Sequence, residues 1–409
     1  MTIRTKLLIP RRKALLGAAG LAALPFAAPH VARAADPIKI GLLLGKTGQI
    51  AGQTEYLANG SMLALEQRNG TIMGQPAELV WLDEPSPQGA TQNMQKLVQE
   101  NKVCAVLGGA LSSNALAEEA KAAELKIPFV CDNAAATDIT GKNCNRYTFR
   151  LNTPVAVQCR MLAPYALKYG KRWYHITASF AFGQDILKSS RELLKAAGGT
   201  EVGVDEVPLN TADFSSFILK IRQAKPDVVC SNLAGNQVTT LIKQYAEFGL
   251  PYPIVGFNLN TADAWAAGDG NLSGTWPTDW YHTLDVPASK VFVANFIKKY
   301  SKPPENHAWI EYVAFKMMAQ AMNATKSTDT DPLIGYFEKE TQFDILKRRK
   351  AYFRSWDHQL MQEAYPFTVK AKGQSKDKWD TLELGAAVPA PNEPLESISL
   401  TKEQNPCSM

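Results

Sequence analysis

The sequence predicts an α/β protein with two lobes of similar build, each a mostly parallel sheet flanked by helices, and a ligand cleft between the lobes. Short apolar runs alternate with amphipathic segments, and the runs are continuously apolar, which is typical of parallel strands buried on both faces. The same strand–helix succession starts again after residue 150. The chain of 409 residues is also longer than one hydrophobic core usually supports, which favours two lobes.

The first strand–helix series has four strands and the helices between them. The strands are predicted at 38–44, 78–83, 103–107 and 127–131, and the helices at 53–68, 87–99 and 114–125.

The second series starts after a loop at 150–154 and ends in a more helical region. Its strands are predicted at 173–177, 202–207, 228–231 and 253–257, and its helices at 154–168, 182–197, 214–224 and 238–248, followed by helices at 290–300 and 309–323 and a strand at 351–356. Gly198 and Gly199 fit the end of one helix and Asp213 the start of the next. The segment beyond Glu383 is rich in proline and polar residues, which is typical of disorder.

These patterns divide the chain into four parts. We predict a signal peptide at 1–34 and a flexible tail at 386–409. The first lobe comprises 36–150 and 283–350, and the second comprises 151–282 and 351–385.

The first 34 residues predict export to the periplasm. Five basic residues between Arg4 and Lys13 precede an uncharged run from Ala14 to Pro29, and Ala32-Arg33-Ala34 resembles a signal-peptidase site. The Arg11-Arg12 pair favours the twin-arginine route over the Sec route, which stays open. No cysteine lies near the cleavage site, so we expect a soluble mature protein without a membrane anchor.

Removal of this segment changes the charge of the protein. The formal net charge falls from +5 to about −1, because residues 1–34 hold six basic residues and no acidic one. The mature chain therefore lacks the basic footprint of a nucleic-acid-binding protein, and no later apolar stretch is long enough to cross a bilayer. Its six cysteines form no C-x-x-C pair. We expect any disulfide within the cluster from Cys104 to Cys159, with buried free thiols at Cys104, Cys131 and Cys230 as the alternative.

Enzyme and metal signatures are missing from the sequence. It contains no G-x-S-x-G, no H-E-x-x-H and no metal-spaced cluster. The segment 41–47 resembles a phosphate-binding P-loop but is one residue short, since the motif needs glycine where Ile40 stands. We interpret 45–52 as a glycine-rich turn whose Gln49 and Gln53 line a cleft. A nucleotide-dependent protein using Lys46 is the alternative.

Ligands of open α/β sheets bind beyond the carboxyl ends of the strands, so the loops after the strands hold the candidate site. In the first lobe the loop at 108–114 runs into a helix, and its Ser112 and Ser113 with free amides suit an anionic group. Simple helix capping is the alternative. The loop after the fourth strand contributes Asn133, Ala134 and Ala135, which would otherwise be ordinary surface residues.

The second lobe offers aromatic and amide candidates after its strands. Phe182 follows the first strand and Asn236 follows the third. Phe257 and Asn258 follow the fourth, and Trp280 belongs to an aromatic cluster at 276–282 where the chain returns to the first lobe. Core packing is the alternative for the aromatic residues.

At these loops the chain resembles the branched-chain amino-acid receptor family, the periplasmic solute-binding proteins of ABC importers. The resemblance covers about 36–385 and rests on Ile38-Lys-Ile-Gly-Leu, Gly108 to Ser113, Asp138-Ile-Thr-Gly-Lys, Phe182-Gly183, Thr211-Ala-Asp-Phe-Ser215 and Glu247-Phe-Gly249. It implies a type I binding-protein fold with three crossovers and a monomer without cofactor or metal. The implied partners are a small-molecule ligand and a membrane permease with its ATPase subunit, and no nucleic acid.

Two positions depart from the amino-acid receptors of this family. Those receptors hold the ligand carboxylate with a serine, matched by Ser112, and with a threonine, and an acid accepts the ammonium group. By alignment the threonine position is Ala135 and the acid position is Asn258. The resemblance therefore favours an aromatic acid or similar carboxylate as ligand. A branched-chain amino acid, an amide or urea bound through Asn133 and Asn258, a sensor subunit and a periplasmic enzyme are the alternatives.

Overall fold

The structure is a computed structural model that describes residues 36–47, 51–270 and 272–409. The predicted signal peptide, its cleavage near Ala34 and its export route lie outside the described residues, as does Gln49 of the predicted glycine-rich turn. No helix in the described ranges combines the length and apolar composition needed to cross a bilayer.

The first sheet has six strands in the spatial order β2-β3-β1-β4-β5-β6. The strands are β1 (Ile38–Leu43), β2 (Thr71–Ile72), β3 (Gln75–Leu82), β4 (Ala105–Gly108), β5 (Phe129–Cys131) and β6 (Thr148–Arg150). The central β1 runs parallel to β3 and β4, with Ile40 opposite both Leu79 and Ala105. All residues of β4 and β5 are buried, as predicted for a sheet covered on both faces.

The second sheet has seven strands in the order β15-β14-β11-β10-β9-β7-β8. Its parallel strands are β7 (Arg172–Ala178), β8 (Thr200–Val207), β9 (Val228–Asn232), β10 (Ile254–Gly256) and β11 (Thr275–Thr278). Its antiparallel strands are β14 (Tyr365–Val369) and β15 (Leu382–Leu384). A separate hairpin of β12 (Tyr352–Phe353) and β13 (Leu360–Met361) precedes these two strands in the chain.

Eleven helices are assigned in the described residues. They are α1 (Ala51–Glu66), α2 (Pro87–Gln99), α3 (Ser112–Leu125), α4 (Val155–Tyr169), α5 (Ala181–Ala196), α6 (Ser215–Ala224), α7 (Asn236–Phe248), α8 (Thr261–Ala267), α9 (Pro287–Tyr300), α10 (Asn306–Thr325) and α11 (Thr330–Phe337). Helix α10 returns the chain to the first sheet and packs closely on α1. A Cβ atom on Gly60 would lie 2.3 Å from the carbonyl oxygen of Ala308, so this approach requires glycine.

The chain passes between the two sheets three times, and we call these segments the first, second and third crossover. They lie between β6 and α4, between β11 and α9, and between β13 and β14. The sequence assigned 351–385 to the second lobe, but the β12–β13 hairpin packs on the first. The ring of Phe353 lies 5.1 Å from that of Phe149 and 5.3 Å from that of Phe337, so the third crossover begins only after Met361.

The segment 386–409 was predicted to be a flexible tail, and here the prediction is wrong. Arg160 of α4 donates to the carbonyl oxygen of Ser399 at 2.8 Å, and Arg354 donates to that of Leu400 at 3.0 Å. The amide of Asn405 donates to the carbonyl oxygen of Thr140 at 2.9 Å. Polar composition predicted disorder, but these polar groups are bonded to both lobes. We call residues 386–409 the C-terminal strap.

A disulfide joins the C-terminal strap to the first lobe. It links Cys144 to Cys407 with Cα atoms 5.6 Å apart. The predicted cysteine cluster therefore supplies only one of the two partners. The other four cysteines are free: Cys104 is half-buried, and Cys131, Cys159 and Cys230 are buried.

Candidate ligand-binding site

A cavity lies between the carboxyl ends of the strands of the two sheets. This edge of open parallel sheets is where ligands bind. The wall is built by the loops after β4, β5, β6, β7, β9, β10 and β11, by α4, and by the starts of α1 and α10. Gln53 of α1 belongs to it, as predicted.

The first wall segment follows β4. Gly108 has a φ of +151°, and a Cβ atom there would lie 2.1 Å from the carbonyl oxygen of Leu43, so this turn requires glycine. Ser112 opens α3 in the wall, and its hydroxyl oxygen accepts from the amide of Ala136 at 3.2 Å. The amides of Ser112 and Ser113 have no acceptor among the described residues. Free amides at a helix start attract an anion such as a carboxylate.

The second wall segment follows β5 and contains Asn133, Ala134 and Ala135. The side-chain amide of Asn133 donates to the carbonyl oxygen of Ala110 at 3.0 Å. The carbonyl oxygen of Ala135 accepts from the amide of Val155 at 2.8 Å. These bonds fix the loop between the β4 loop and the start of α4. Ala135 contributes only a methyl group where a threonine would offer a hydroxyl.

The second lobe supplies an aromatic wall. Phe180 and Phe182, which follow β7, both line the cavity. Ala234 after β9 and Asn258 after β10 lie in the same wall. Phe182 is buried among apolar residues of its own lobe, which holds its ring in position. The side chain of Asn258 is half-buried and makes no hydrogen bond to any described residue.

Four predicted site residues lie off the wall. The side chain of Ser113 points away on the next position of α3, and Asn236 is exposed at the start of α7. Phe257 is fully buried in the core because it points opposite to its neighbour Asn258. Trp280 is also buried, and its indole nitrogen donates to the Ser289 hydroxyl at 2.9 Å. Phe257 and Trp280 are therefore core residues, which was the alternative interpretation of both. Phe180 instead lies in the wall together with Phe182.

Sequence reasoning missed three polar wall residues near the first two crossovers. Asn152 follows β6, Gln158 lies one turn into α4, and Asp279 follows β11. Both oxygens of Asp279 accept from Thr153, one from the backbone amide at 3.1 Å and the other from the hydroxyl. Asn152 and Asp279 follow strands, so applying the post-strand rule to β6 and β11 would have found them. Nothing in the sequence pattern marks Gln158.

Hydrogen bonds tie the crossovers to one another beside the cavity. The ammonium of Lys347 donates to Gln362 at 2.8 Å and to the carbonyl oxygen of Glu363 at 2.6 Å. Gln362 donates to the carbonyl oxygen of Leu151 at 2.6 Å. Burial lowers the pKa of Lys347 to about 8, against the attraction of Asp279 and Glu363. Hydrogen bonds therefore connect the first and third crossovers.

Two pairs of buried carboxyl groups lie behind the first-lobe wall. Glu84 lies beside Glu118, and burial raises the pKa of Glu84 to about 8, although hydrogen bonds from Glu118 and from loop amides oppose the rise. Asp132 lies beside Glu311, and burial followed by repulsion from Glu311 raises the pKa of Asp132. Two carboxylates in contact cannot both ionise at low cost. Each pair therefore favours one shared proton over two full charges.

A hydrogen bond joins α5 of the second lobe to the first lobe. The backbone amide of Thr137 in the first lobe donates to the carboxylate of Asp185 on α5 at 2.6 Å. Burial raises the pKa of Asp185, while its hydrogen bonds to Thr137 oppose the rise.

The enzyme and nucleotide alternatives gain no support from the site. Lys46 is not in the wall: its ammonium donates to the carbonyl oxygen of Trp81 at 3.2 Å and lies 4.6 Å from the ring of the same residue. Within the described ranges, no group of three histidine, cysteine, aspartate or glutamate side chains could hold a metal ion.

Known proteins share both the sequence pattern and the fold. A family model described as periplasmic binding protein matches residues 37–374. The Leu/Ile/Val-binding protein homolog 8 of Brucella abortus (strain 2308) is 28% identical over 320 residues, which span 73% of this chain and 79% of that protein.

Solved structures agree with the two-lobed architecture. A periplasmic binding protein from Burkholderia mallei superposes with a TM-score of 0.84 at 25% identity, covering 91% of this chain and 99% of that one. An R. palustris solute-binding protein in complex with benzoate superposes with a TM-score of 0.79 at 23% identity, covering 91% of this chain and all of that one.

Proposed function

The chain belongs to the periplasmic binding protein family, and from that premise we propose that it is the substrate-binding component of an ABC transporter that captures a small aromatic carboxylate. The family consists of binding proteins, so the chain is not an enzyme. The lobes close over the ligand and present it to a membrane permease, which works with an ATPase subunit. Leucine-binding-like relatives and an aromatic-acid-binding structural neighbour are both consistent with this assignment.

The composition of the two opposing walls carries the proposal. One wall offers the Ser112 hydroxyl and free α3 amides to a carboxylate, and the other offers the rings of Phe180 and Phe182 to a flat apolar body. An α-amino acid would also need an acceptor for its ammonium group. Asn258 offers only a neutral amide there, and burying an unpaired ammonium costs several kcal/mol.

A ligand panel tests the proposal. Native mass spectrometry of the purified mature protein should detect a retained small acid. In a thermal-shift series, benzoate and related aromatic acids should raise the melting temperature, because a ligand that binds only the folded state stabilises it. L-leucine should leave it unchanged. Stabilisation by leucine alone would refute the proposal.

A receptor for amino acids, amides or urea is the second candidate. Its support is that Asn133 and Asn258 both line the cavity, one on each lobe, and that the curated relatives carry the Leu/Ile/Val-binding name. The same panel, extended with urea and acetamide, separates the two candidates.

We also propose that residues 1–34 direct export and that the mature chain begins near Ala35 as a periplasmic monomer. The lobes then comprise 36–150 with 283–361 and 151–282 with 362–385. N-terminal sequencing of protein recovered from the periplasm tests the cleavage site.

A further inference from the structure

We infer that the ligand of this cavity carries, besides its carboxylate, a neutral hydrogen-bond donor such as a phenolic hydroxyl, which Gln158 receives. The inference rests on the proposed function and specifies its ligand class. It starts from the acceptors that the cavity wall leaves without donors.

Gln158 is the clearest of these acceptors. Its side-chain nitrogen donates to the carbonyl oxygen of Thr153 at 2.8 Å, which fixes the orientation of the amide. Its side-chain oxygen is buried and has no partner among the described residues, and the residue is only 8% exposed. Met161 lies one turn further along α4 and also lines the cavity, so this face of the helix forms the wall. A buried carbonyl oxygen without a donor is unfavourable, and a ligand donor relieves it.

Two neighbouring amides repeat the arrangement. Asn133 donates to the carbonyl oxygen of Ala110, and Asn152 donates to that of Asn133. The side-chain oxygens of both residues accept no hydrogen bond from any described residue, although both residues lie in the wall. Three wall residues around the first crossover therefore have side-chain oxygens without a donor among the described residues.

The charges of the wall favour a neutral donor over an ammonium group. Asp279 is the one charged residue among the described wall residues. Each of its oxygens accepts one hydrogen bond from Thr153, and the ammonium of Lys347 offsets part of its charge. Asp279 is therefore a weaker partner for a cationic ligand than an unbonded carboxylate, whereas a hydroxyl needs only a carbonyl oxygen.

Isothermal titration of the mature protein with four probes tests the inference. The probes are benzoate, 3-hydroxybenzoate, 4-hydroxybenzoate and 4-methoxybenzoate. At least one hydroxybenzoate should bind about tenfold more tightly than benzoate, because a site built for a hydroxyl discriminates against analogues that lack it. The methoxy compound, which accepts but cannot donate, should gain nothing.

A substitution then assigns the acceptor. Gln158→Met keeps the approximate volume but removes the oxygen. The hydroxyl advantage, meaning the ratio of hydroxybenzoate affinity to benzoate affinity, should then fall to about one, while the affinity for benzoate itself changes less than about threefold. Gln223→Met, on the exposed side of α6, is the matched control and should retain the full advantage. The wild-type series needs no substitution, so it decides the donor question even if Gln158→Met fails to fold.

The outcomes separate this inference from the proposed function. Equal binding of benzoate and hydroxybenzoates by the wild type overturns the inference and leaves the proposed function standing. Absence of binding by all aromatic carboxylates overturns both. If the wild type binds leucine and Gln158→Met weakens that binding, the side-chain amides receive an ammonium group. This outcome also overturns the inference that the ligand donor is neutral.

Discussion

Asn258 is the wall residue on which the choice between ligand classes depends most. The resemblance to amino-acid receptors implies an acidic residue at this position, and Asn258 lies in the wall without a hydrogen-bond partner among the described residues. Asn258→Asp should therefore lower the affinity for benzoate about tenfold through repulsion between carboxylates and should introduce measurable binding of leucine. Titration calorimetry with benzoate and with leucine measures both affinities. Asn236→Asp, at an exposed position outside the wall, should change neither affinity.

The buried carboxyl pairs predict an unusual pH dependence of stability. The folded-state pKa of Glu84 is raised to about 8, above the ordinary value of 4.5, so the folded protein holds a proton that the unfolded chain has released. Between pH 6.5 and 8 the free energy of unfolding should fall by about 1.4 kcal/mol per pH unit for each retained proton. His175, His282 and His358, with pKa values lowered to about 4, and Lys347, with its pKa lowered to about 8, act in the opposite direction, because the unfolded chain binds their protons more tightly than the folded protein does.

Urea unfolding at pH 6.5 and 8 measures this slope. Glu118→Gln keeps a hydrogen-bond donor beside Glu84 but removes one titrating group, so it should flatten the slope. A Glu118→Gln protein with the same slope as the wild type would contradict the shared proton.

Individual positions also show what sequence could predict of the site. The rule that ligands bind after strands selected Ser112, Asn133 and Phe182, which lie in the cavity wall, because strand ends are visible as the ends of apolar runs. It could not separate Phe257 from Asn258, since neighbouring side chains point in opposite directions and a one-residue difference decides which reaches the cavity. Gln158 was missed because helix faces are assigned only once the packing of α4 is known.

Among the structural elements, the C-terminal strap has the least expected role. Its disulfide closes a loop of 263 residues, and such cross-links stabilise mainly by restricting the unfolded chain. Cys407→Ser should lower the free energy of unfolding by about 2–4 kcal/mol. Denaturant unfolding without reductant measures the loss. Cys104→Ser, which removes a free half-buried thiol, should cost less, and equal losses would argue against a special role for the disulfide.

The elements of the core could be predicted, and those at the lobe edges could not. The strands from β1 to β10 with continuous apolar runs were found within a few residues. The short strands β6, β11, β14 and β15 were missed, because runs of three to five residues contain too little hydrophobic pattern to be recognised. The strand predicted at 351–356 is only two residues of a hairpin, and it pairs locally with β13.

At the scale of the whole molecule, the bond between Thr137 and Asp185 links ligand affinity to closure. Asp185→Ala removes the only acceptor that the Thr137 amide has among the described residues, which should weaken the closed state and raise the Kd for the ligand about fivefold. Titration calorimetry gives the Kd, and small-angle scattering gives the size of the ligand-saturated protein. Glu192→Ala, at an exposed position on the same helix, should behave as wild type.

The three crossovers also determine how the molecule can come apart. Each lobe is assembled from separated stretches of chain, and α1 near the start packs against α10 some 250 positions later, where Ser61 donates to Glu311 at 2.8 Å. No single cut yields an intact lobe. Cooperativity therefore extends over both lobes: the loss of either removes part of the support of the other, and unfolding proceeds as one transition rather than two.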